Sequence, residues 1–216
     1  ASTRVLDPAC GTGNFLYVSL DLMKQLEDAV LHKLAELGDK QGLLEVGSVR
    51  ITPAQFLGIE KNPRAVPIAE LVLWIGYLRW HFRQRGKGVL PPEPVLQDFK
   101  NIECRDAVLA WDGEPVPVLD ETGQVVRRWD GESRKPHPAT GEMVPDDTET
   151  IEILRYINPR RAEWPKADFV VGNPPFVTNK RMRVALGAGY VDALRLARKD
   201  VPDTVDYVMY WWRSEE

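Results

Sequence analysis

Near its start the chain reads Val5-Leu6-Asp7-Pro8-Ala9-Cys10-Gly11-Thr12-Gly13-Asn14-Phe15-Leu16, and this string constrains the fold more than any other. Arg4 to Leu6 forms a short apolar run that reads as a buried strand ending at an acid. Pro8 has no N–H to donate and stops strand pairing. Gly11 and Gly13 allow a tight turn and bring bare backbone against a ligand. From Asn14 onward an apolar helical period takes over. A strand, a glycine loop and a helix in that order form the unit at which α/β folds bind nucleotides. The loop departs from the two commonest nucleotide patterns. Leu16 stands where a dinucleotide fingerprint has its third glycine. No lysine precedes Lys24, so a phosphate-binding P-loop is excluded as well. The loop is expected to hold a ligand without a pyrophosphate, although a Gly-x-Gly turn alone is also compatible with a purely structural role.

The rest of the chain supplies two more strand ends that carry acids. The helix after the loop takes Phe15, Leu16, Val18, Leu22, Leu26, Val30, Leu34 and Leu37 as its apolar positions, with Gly38 as C-cap. Gln55 to Glu60 reads as a second strand, again ending at an acid. Asn62 and Pro63 are expected to open the next helix as N-cap and first-turn residue. That helix carries Ile68, Leu71, Val72, Ile75, Leu78 and Phe82 and ends at Gly86, with Trp74 and Trp80 as core fillers. Pro91-Pro92-Glu93-Pro94 makes a rigid connector. A third strand over Asn101 to Cys104 leads to Asp106 and Ala107. Asp7, Glu60 and Asp106 thus follow three successive strands, and in a doubly wound sheet such ends line one crevice.

From Trp111 to Trp164 the alternation of strand and helix stops. Val116 to Leu119 and Gln124 to Arg127, joined through Gly123, read as a β-hairpin, and a short helix is expected near Ile151 to Tyr156. A stretch this long reads as an insertion on the scaffold. The alternation resumes at Ala167 to Gly172, an apolar run expected to be a fully buried strand. It leads directly into Asn173-Pro174-Pro175-Phe176. Two prolines in succession remove two donors and leave carbonyl acceptors; Asn173 adds a side-chain oxygen and Phe176 a flat ring. Acceptors beside a stacking face suit a planar substrate with an exocyclic –NH2. An amphipathic helix over Tyr190 to Lys199 follows, and Thr204 is expected to cap a last helix through Tyr207, Tyr210 and Trp211.

Charge and cysteine content narrow the function classes. The net charge of −4 does not favour a generally basic nucleic-acid-binding domain. Six cations against Asp192 alone, between Val177 and Lys199, allow a local basic face, whereas Asp112 to Thr150 holds ten acids and four bases. No apolar run approaches the roughly 18 residues of a membrane span. No leader pattern is present, and Cys10 and Cys104 are expected to be reduced and buried, so a cytoplasmic location is expected. His32, His81 and His137 are too scattered for a zinc site, and no metal is expected.

Taken together, Asp7-Pro8-Ala9-Cys10-Gly11-Thr12-Gly13-Asn14-Phe15 and Asn173-Pro174-Pro175-Phe176 resemble the S-adenosylmethionine-dependent N6-adenine DNA methyltransferases. The order, with the cofactor motif first, resembles the γ class. The long insertion and the helix Asp206 to Trp212 look most like the fused restriction–modification enzymes of the type IIG or IIL kind. The resemblance implies a Rossmann-like class I methyltransferase fold, a doubly wound and mostly parallel sheet, truncated at both ends. Residues 1–110 would be the cofactor-binding half, 111–165 the insertion, and 166–216 the catalytic-motif half. It implies that Asp7, Pro8, Ala9, Cys10, Gly11, Thr12, Gly13, Asn14 and Phe15 wrap the methionine end of S-adenosyl-L-methionine. Glu60 would bind its ribose hydroxyls, and Asp106, beside Ala107, its adenine amino group. Asn173 and Pro174 would accept from the target amine, with Pro175 completing the turn and Phe176 stacking on a flipped base. DNA is the implied partner, with target recognition and any fused nuclease outside this segment, which alone is expected to be incomplete in function. The chemistry of the tetrapeptide also suits an RNA base or a protein glutamine, and a non-catalytic cofactor-binding fragment is the reading from another class.

Overall fold

The structure is a computed structural model that describes residues 3–39, 41–42, 50–85 and 100–214. It divides into two units, one of residues 1–107 and 164–174 and one of residues 108–163 and 175–216. The first unit begins with β1 (Val5–Asp7), α1 (Asn14–Glu36), β2 (Phe56–Glu60), α2 (Val66–Arg85) and β3 (Ile102–Cys104). The second holds β4 (Leu109–Pro117), β5 (Arg127–Trp129), β6 (Arg134–Pro136), β7 (Met143–Pro145), β8 (Thr150–Glu152) and β9 (Leu154–Arg161). The chain returns to the first unit for β10 (Phe169–Val170). It ends in the second with α3 (Asn179–Leu186), α4 (Ala188–Ala197) and α5 (Val208–Trp212).

In the first unit four parallel strands lie in the order β10-β1-β2-β3. Leu6 is opposite Leu57 on one side and Val170 on the other. The chain therefore steps outward from β1 to β3 and later crosses to the far side of β1. Where strand order reverses like this, the loops leaving neighbouring strands diverge and open a crevice at their carboxyl ends. The mixed α/β class with a parallel sheet is as the sequence indicates. Val5, Leu6, Phe56 and Ile59 are buried because both sheet faces are covered near β1 and β2. Leu16 and Leu20 of α1 and Ala69, Leu73, Trp74 and Tyr77 of α2 pack in one cluster with Val5, Phe56 and Ile102. Truncating Leu16 or Leu73 to Ala is expected to cost about 2–5 kcal/mol. Asn101 braces the entry to β3 by donating to the Pro53 and Phe56 carbonyls.

Several expectations are corrected here. β10 is not fully buried: Phe169 is 60% exposed and Val170 38%. It is a two-residue strand at the outer edge of the described sheet and pairs with β1 alone. On α1 the buried line is Leu16, Leu20, Lys24 and Glu27, while Val18, Leu22, Leu26 and Leu37 are exposed. Lys24 and Glu27 are buried as an ion pair of 2.7 Å, and Glu27 also accepts from Ile51 N–H. α2 starts at Val66, because Asn62 is used in a preceding turn. Its Oδ1 accepts from Arg64 N–H and its carbonyl from Ala65 N–H. Gly86 and the Pro91–Pro94 connector lie outside the described residues.

The second unit is built on the antiparallel pair β4 and β9, in which Val116 lies opposite Arg155. The expected helix near Ile151 to Tyr156 is instead β8 and the start of β9. Ile151, Ile153, Tyr156 and Ile157 are β-branched or aromatic and favour a pleated surface, and β5 and β4 supply partners. The hairpin is present in small form, with a Leu119–Val125 bridge and Gly123 at φ 84°. α4 lies against β9 so closely that a Cβ on Gly189 would sit 1.7 Å from the Leu154 carbonyl oxygen. Thr204 caps no helix; α5 begins at Val208 with Tyr207 at the cap position. Arg198 is fully buried and bonds Asp200, Ser214 Oγ and the Tyr210 carbonyl. Among the described residues no helix is long and apolar enough to cross a membrane.

Candidate active site

β1 delivers Asp7 to the carboxyl end of the sheet, and Oδ1 of that residue accepts from Ala9 N–H at 3.0 Å. The loop is tied to β2 by Cys10 N–H on the Ile59 carbonyl, and it closes on itself through Gly13 N–H to the Cys10 carbonyl. Gly11 and Gly13 take φ of 53° and 83°, a region that L side chains rarely adopt. Packing adds a second demand at Gly13, where a Cβ would approach Ala69 Cα at 3.1 Å, whereas Gly11 faces open space. No side chain caps α1 at Gly13, so its first-turn amides and the positive end of its dipole lie at the loop.

Glu60, at the end of β2, spans the next gap. Its Oε2 accepts from Gly11 N–H at 2.8 Å and its Oε1 from Asn62 N–H at 2.7 Å. The residue expected to read a ribose is the strut that holds the glycine loop. Asp106 follows β3 and is buried, with Oδ2 3.3 Å from the exposed Lys61 Nζ. Ala107 is buried beside it, and its carbonyl accepts from Trp164 Nε1 at 2.6 Å. Asp7, the glycine loop and Glu60 are therefore joined directly, and Asp106 is linked to them through the residue after Glu60.

This clustering is visible in the proton affinities. Burial pushes the Asp7 carboxyl from 3.8 up to about 6, with the Glu60 charge adding to the rise and the Ala9 hydrogen bond opposing it. Asp7 Oδ2 is buried and has no hydrogen-bond partner among the described residues. The same burial, with the charges of Asp7 and Glu60, pushes the Cys10 thiol up to about 12. The Cys10 thiol therefore stays protonated at neutral pH, and a Cβ on Gly58 would lie 2.8 Å from its Sγ. Cys104, expected to be buried, is exposed at the end of its edge strand.

β10 brings the second motif to the same end of the sheet, since Val171 N–H donates to the Leu6 carbonyl. Gly172 comes next, and a Cβ there would fall 2.6 Å from Asp7 Oδ1. Asn173 is exposed and Pro174 half-buried in this first unit, while Pro175 and Phe176 open the second, where Phe176 is 75% exposed. Of the six cations after Val177, Arg183 pairs with Asp192, Arg195 with Asp203 and Arg198 with Asp200, which reduces the expected basic face. Lys61 and Gly172 were not singled out from the sequence. Each had a signal, because each is the immediate neighbour of a residue that was.

Comparison with known proteins decides the family. All of residues 1–216 match the family described as MmeI, DNA-methyltransferase domain. The chain belongs to this family. It is also 32% identical over 107 residues to DNA methyltransferase A of Bacillus subtilis (strain 168). That stretch is 49% of this chain and 12% of the relative. The mixed α/β fold with a parallel sheet is thus that of a DNA-methyltransferase domain, and membership of the MmeI methyltransferase family implies a methyl donor.

Proposed function

We propose that this domain transfers a methyl group from S-adenosyl-L-methionine to the N6 amino group of adenine in DNA, as a γ-class enzyme of the fused restriction–modification kind. The observation that carries the reading is the buried Asp7 carboxylate with one oxygen unpartnered, beside Glu60 and the loop that Glu60 holds. Such a site suits a nucleoside that carries cationic groups and no phosphate. The reversal of strand order at β1 supports a Rossmann-like, doubly wound assignment.

In this reading the loop from Asp7 to Phe15 holds the methionine end of the cofactor. Glu60 keeps lone pairs for ribose hydroxyls while its bonds to Gly11 and Asn62 persist. Asp106 accepts from the adenine amine, with Ala107 packed at its side. The cofactor supplies an electrophilic methyl group. Asn173 Oδ1 and the Pro174 carbonyl accept the two protons of the target –NH2 and localise its lone pair for attack. The proton leaves after the methyl group arrives, so no strong base is needed. Phe176 stacks on the target base once it has left the duplex. Residues 1–110 act as the cofactor half, 111–165 as the insertion and 166–216 as the catalytic-motif half. The domain works in the cytoplasm, with sequence recognition and any nuclease supplied by other parts of the protein.

The test is methyl transfer from labelled S-adenosylmethionine to DNA, transfer RNA and protein by the intact enzyme, followed by digestion of the labelled product. N6-methyladenine in DNA is the expected product. Label confined to RNA or to protein glutamine would overturn the substrate assignment.

A further inference from the structure

Phe176 is the most exposed large apolar side chain described, at 75%, yet two of the three residues after it are pinned to other segments of the chain. The Val177 carbonyl accepts from Tyr207 N–H at 2.9 Å. Asn179 N–H donates to Asp206 Oδ1 at 2.7 Å. Arg195 Nη2 donates both to Asn179 Oδ1 at 2.9 Å and to the Asp203 carbonyl at 2.8 Å. Asn179 is the first residue of α3, and Thr178, at its cap position, makes no side-chain cap. A helix leaves its first amides without internal partners, and a carboxylate there both accepts from one and favours the dipole. Asp206 therefore caps α3 from another segment of the chain, in the place Thr178 leaves open.

The anchor behind these bonds is firm. Tyr207 and Tyr210 are buried, and the Tyr207 hydroxyl is 2.9 Å from that of Tyr190. Tyr207 also packs edge-on against Trp211. On the other side, Met182 of α3 is fully buried. A segment held at Val177 and Asn179 between two buried anchors, next to a ring left in solvent, fixes the ring's backbone without covering its face.

We propose that Asp206 and Arg195 are positioning residues for Phe176: they pre-set the Val177–Asn179 strap so that the ring is presented for stacking. This rests on the reading of Phe176 as the residue that stacks on the target base. Base–aromatic stacking holds an extruded base only when the ring is correctly placed, and an unset strap forfeits part of it.

The experiment is a double-mutant cycle of Asp206→Ala and Phe176→Ala in the intact enzyme, with steady-state methyl transfer to DNA, cofactor affinity and thermal unfolding measured for each form. Asp206→Ala is expected to lower kcat/KM for DNA about tenfold, mainly through KM, at unchanged cofactor affinity. Asp206→Asn, which keeps an acceptor for Asn179 N–H, should restore most of it. In the Phe176→Ala background, Asp206→Ala should add less than about twofold. Should Asp206→Ala unfold the protein, Asn179→Ala removes the Arg195 bond instead and carries the same expectation. If Phe176→Ala itself leaves turnover unchanged, the stacking reading fails. If Phe176→Ala is damaging but Asp206→Ala is silent, or acts equally in both backgrounds, the positioning role fails and the reading stands.

Discussion

The carboxylates of the two units live in opposite regimes. Asp7, in the first, is 1% exposed, holds one hydrogen bond and is pushed up to about 6 by burial. In the second, Asp112, Asp120 and Asp147 are exposed and Asp130 and Asp146 half-buried, and hydrogen bonds lower the proton affinity of all five. The leading donors are Asn158 for Asp112, Thr122 for Asp120, Ser133 for Asp130, Thr148 for Asp146 and Lys135 for Asp147. Three of these acids, Asp120, Asp130 and Asp146, bond residues two to four positions away and build the turns they sit in. Asp7 is desolvated by distant parts of the chain and left one donor short. An acid that the fold satisfies belongs to the fold, and an acid that it leaves unsatisfied is free to serve a ligand.

Substitutions on each side of this contrast have different expected effects. The largest effect is expected at Asn173, whose side chain receives no packing role in the exposed turn after β10. Asn173→Ala should lower methyl transfer at least about 100-fold, near 3 kcal/mol of transition-state stabilisation, while calorimetry finds cofactor affinity unchanged. Retained turnover would remove its catalytic assignment. Next comes Asp7 itself. Its folded pKa lies above its unfolded value, so between about pH 4 and 6 the native state binds more protons and stability falls as pH rises. The loss should reach about 3 kcal/mol, since one pKa unit is worth about 1.4 kcal/mol. Urea unfolding of the ligand-free protein should show that slope, and Asp7→Asn should flatten it. Asp106→Ala is expected to weaken cofactor binding about tenfold, the worth of one hydrogen bond to a charged group. A substitution in the turns should do least to function. Asp130→Ala should leave cofactor affinity unchanged and slightly lower the melting temperature. Its sign is opposite to that of Asp7, because the stability given by Asp130 is present above its unfolded pKa and lost as pH falls through the depressed folded value.

The sequence shows most where the structure is local. The glycine loop needs only Gly11 and Gly13 at positive φ between a three-residue strand and a helix, and that grammar is legible without tertiary information. Asp7, Glu60 and Asp106 are legible as strand ends for the same reason. The missed features are non-local. Ile151 to Tyr156 reads as a helix until β4 and β5 pair with it from far back in the chain. The exposure of Phe169 follows from β10 being at the sheet edge, which no run of apolar letters reveals. Glu60 shows its place at a strand end but not its bond to Gly11, which joins residues 49 positions apart. Thr204 and Asn62 carry the right chemistry for caps, but the backbone at Asn62 goes into a turn and the last helix begins later.

If the strand-end site of the first unit binds a cationic nucleoside cofactor through an acid held protonated in part by burial, cofactor binding must displace protons. The most direct test is calorimetric titration of S-adenosylmethionine at pH 6 in two buffers of different ionisation enthalpy. A cation beside Asp7 favours its ionised form, so binding should release about half a proton, and Asp7→Asn should abolish the release. No binding, or the same proton release from Asp7→Asn, would contradict the account.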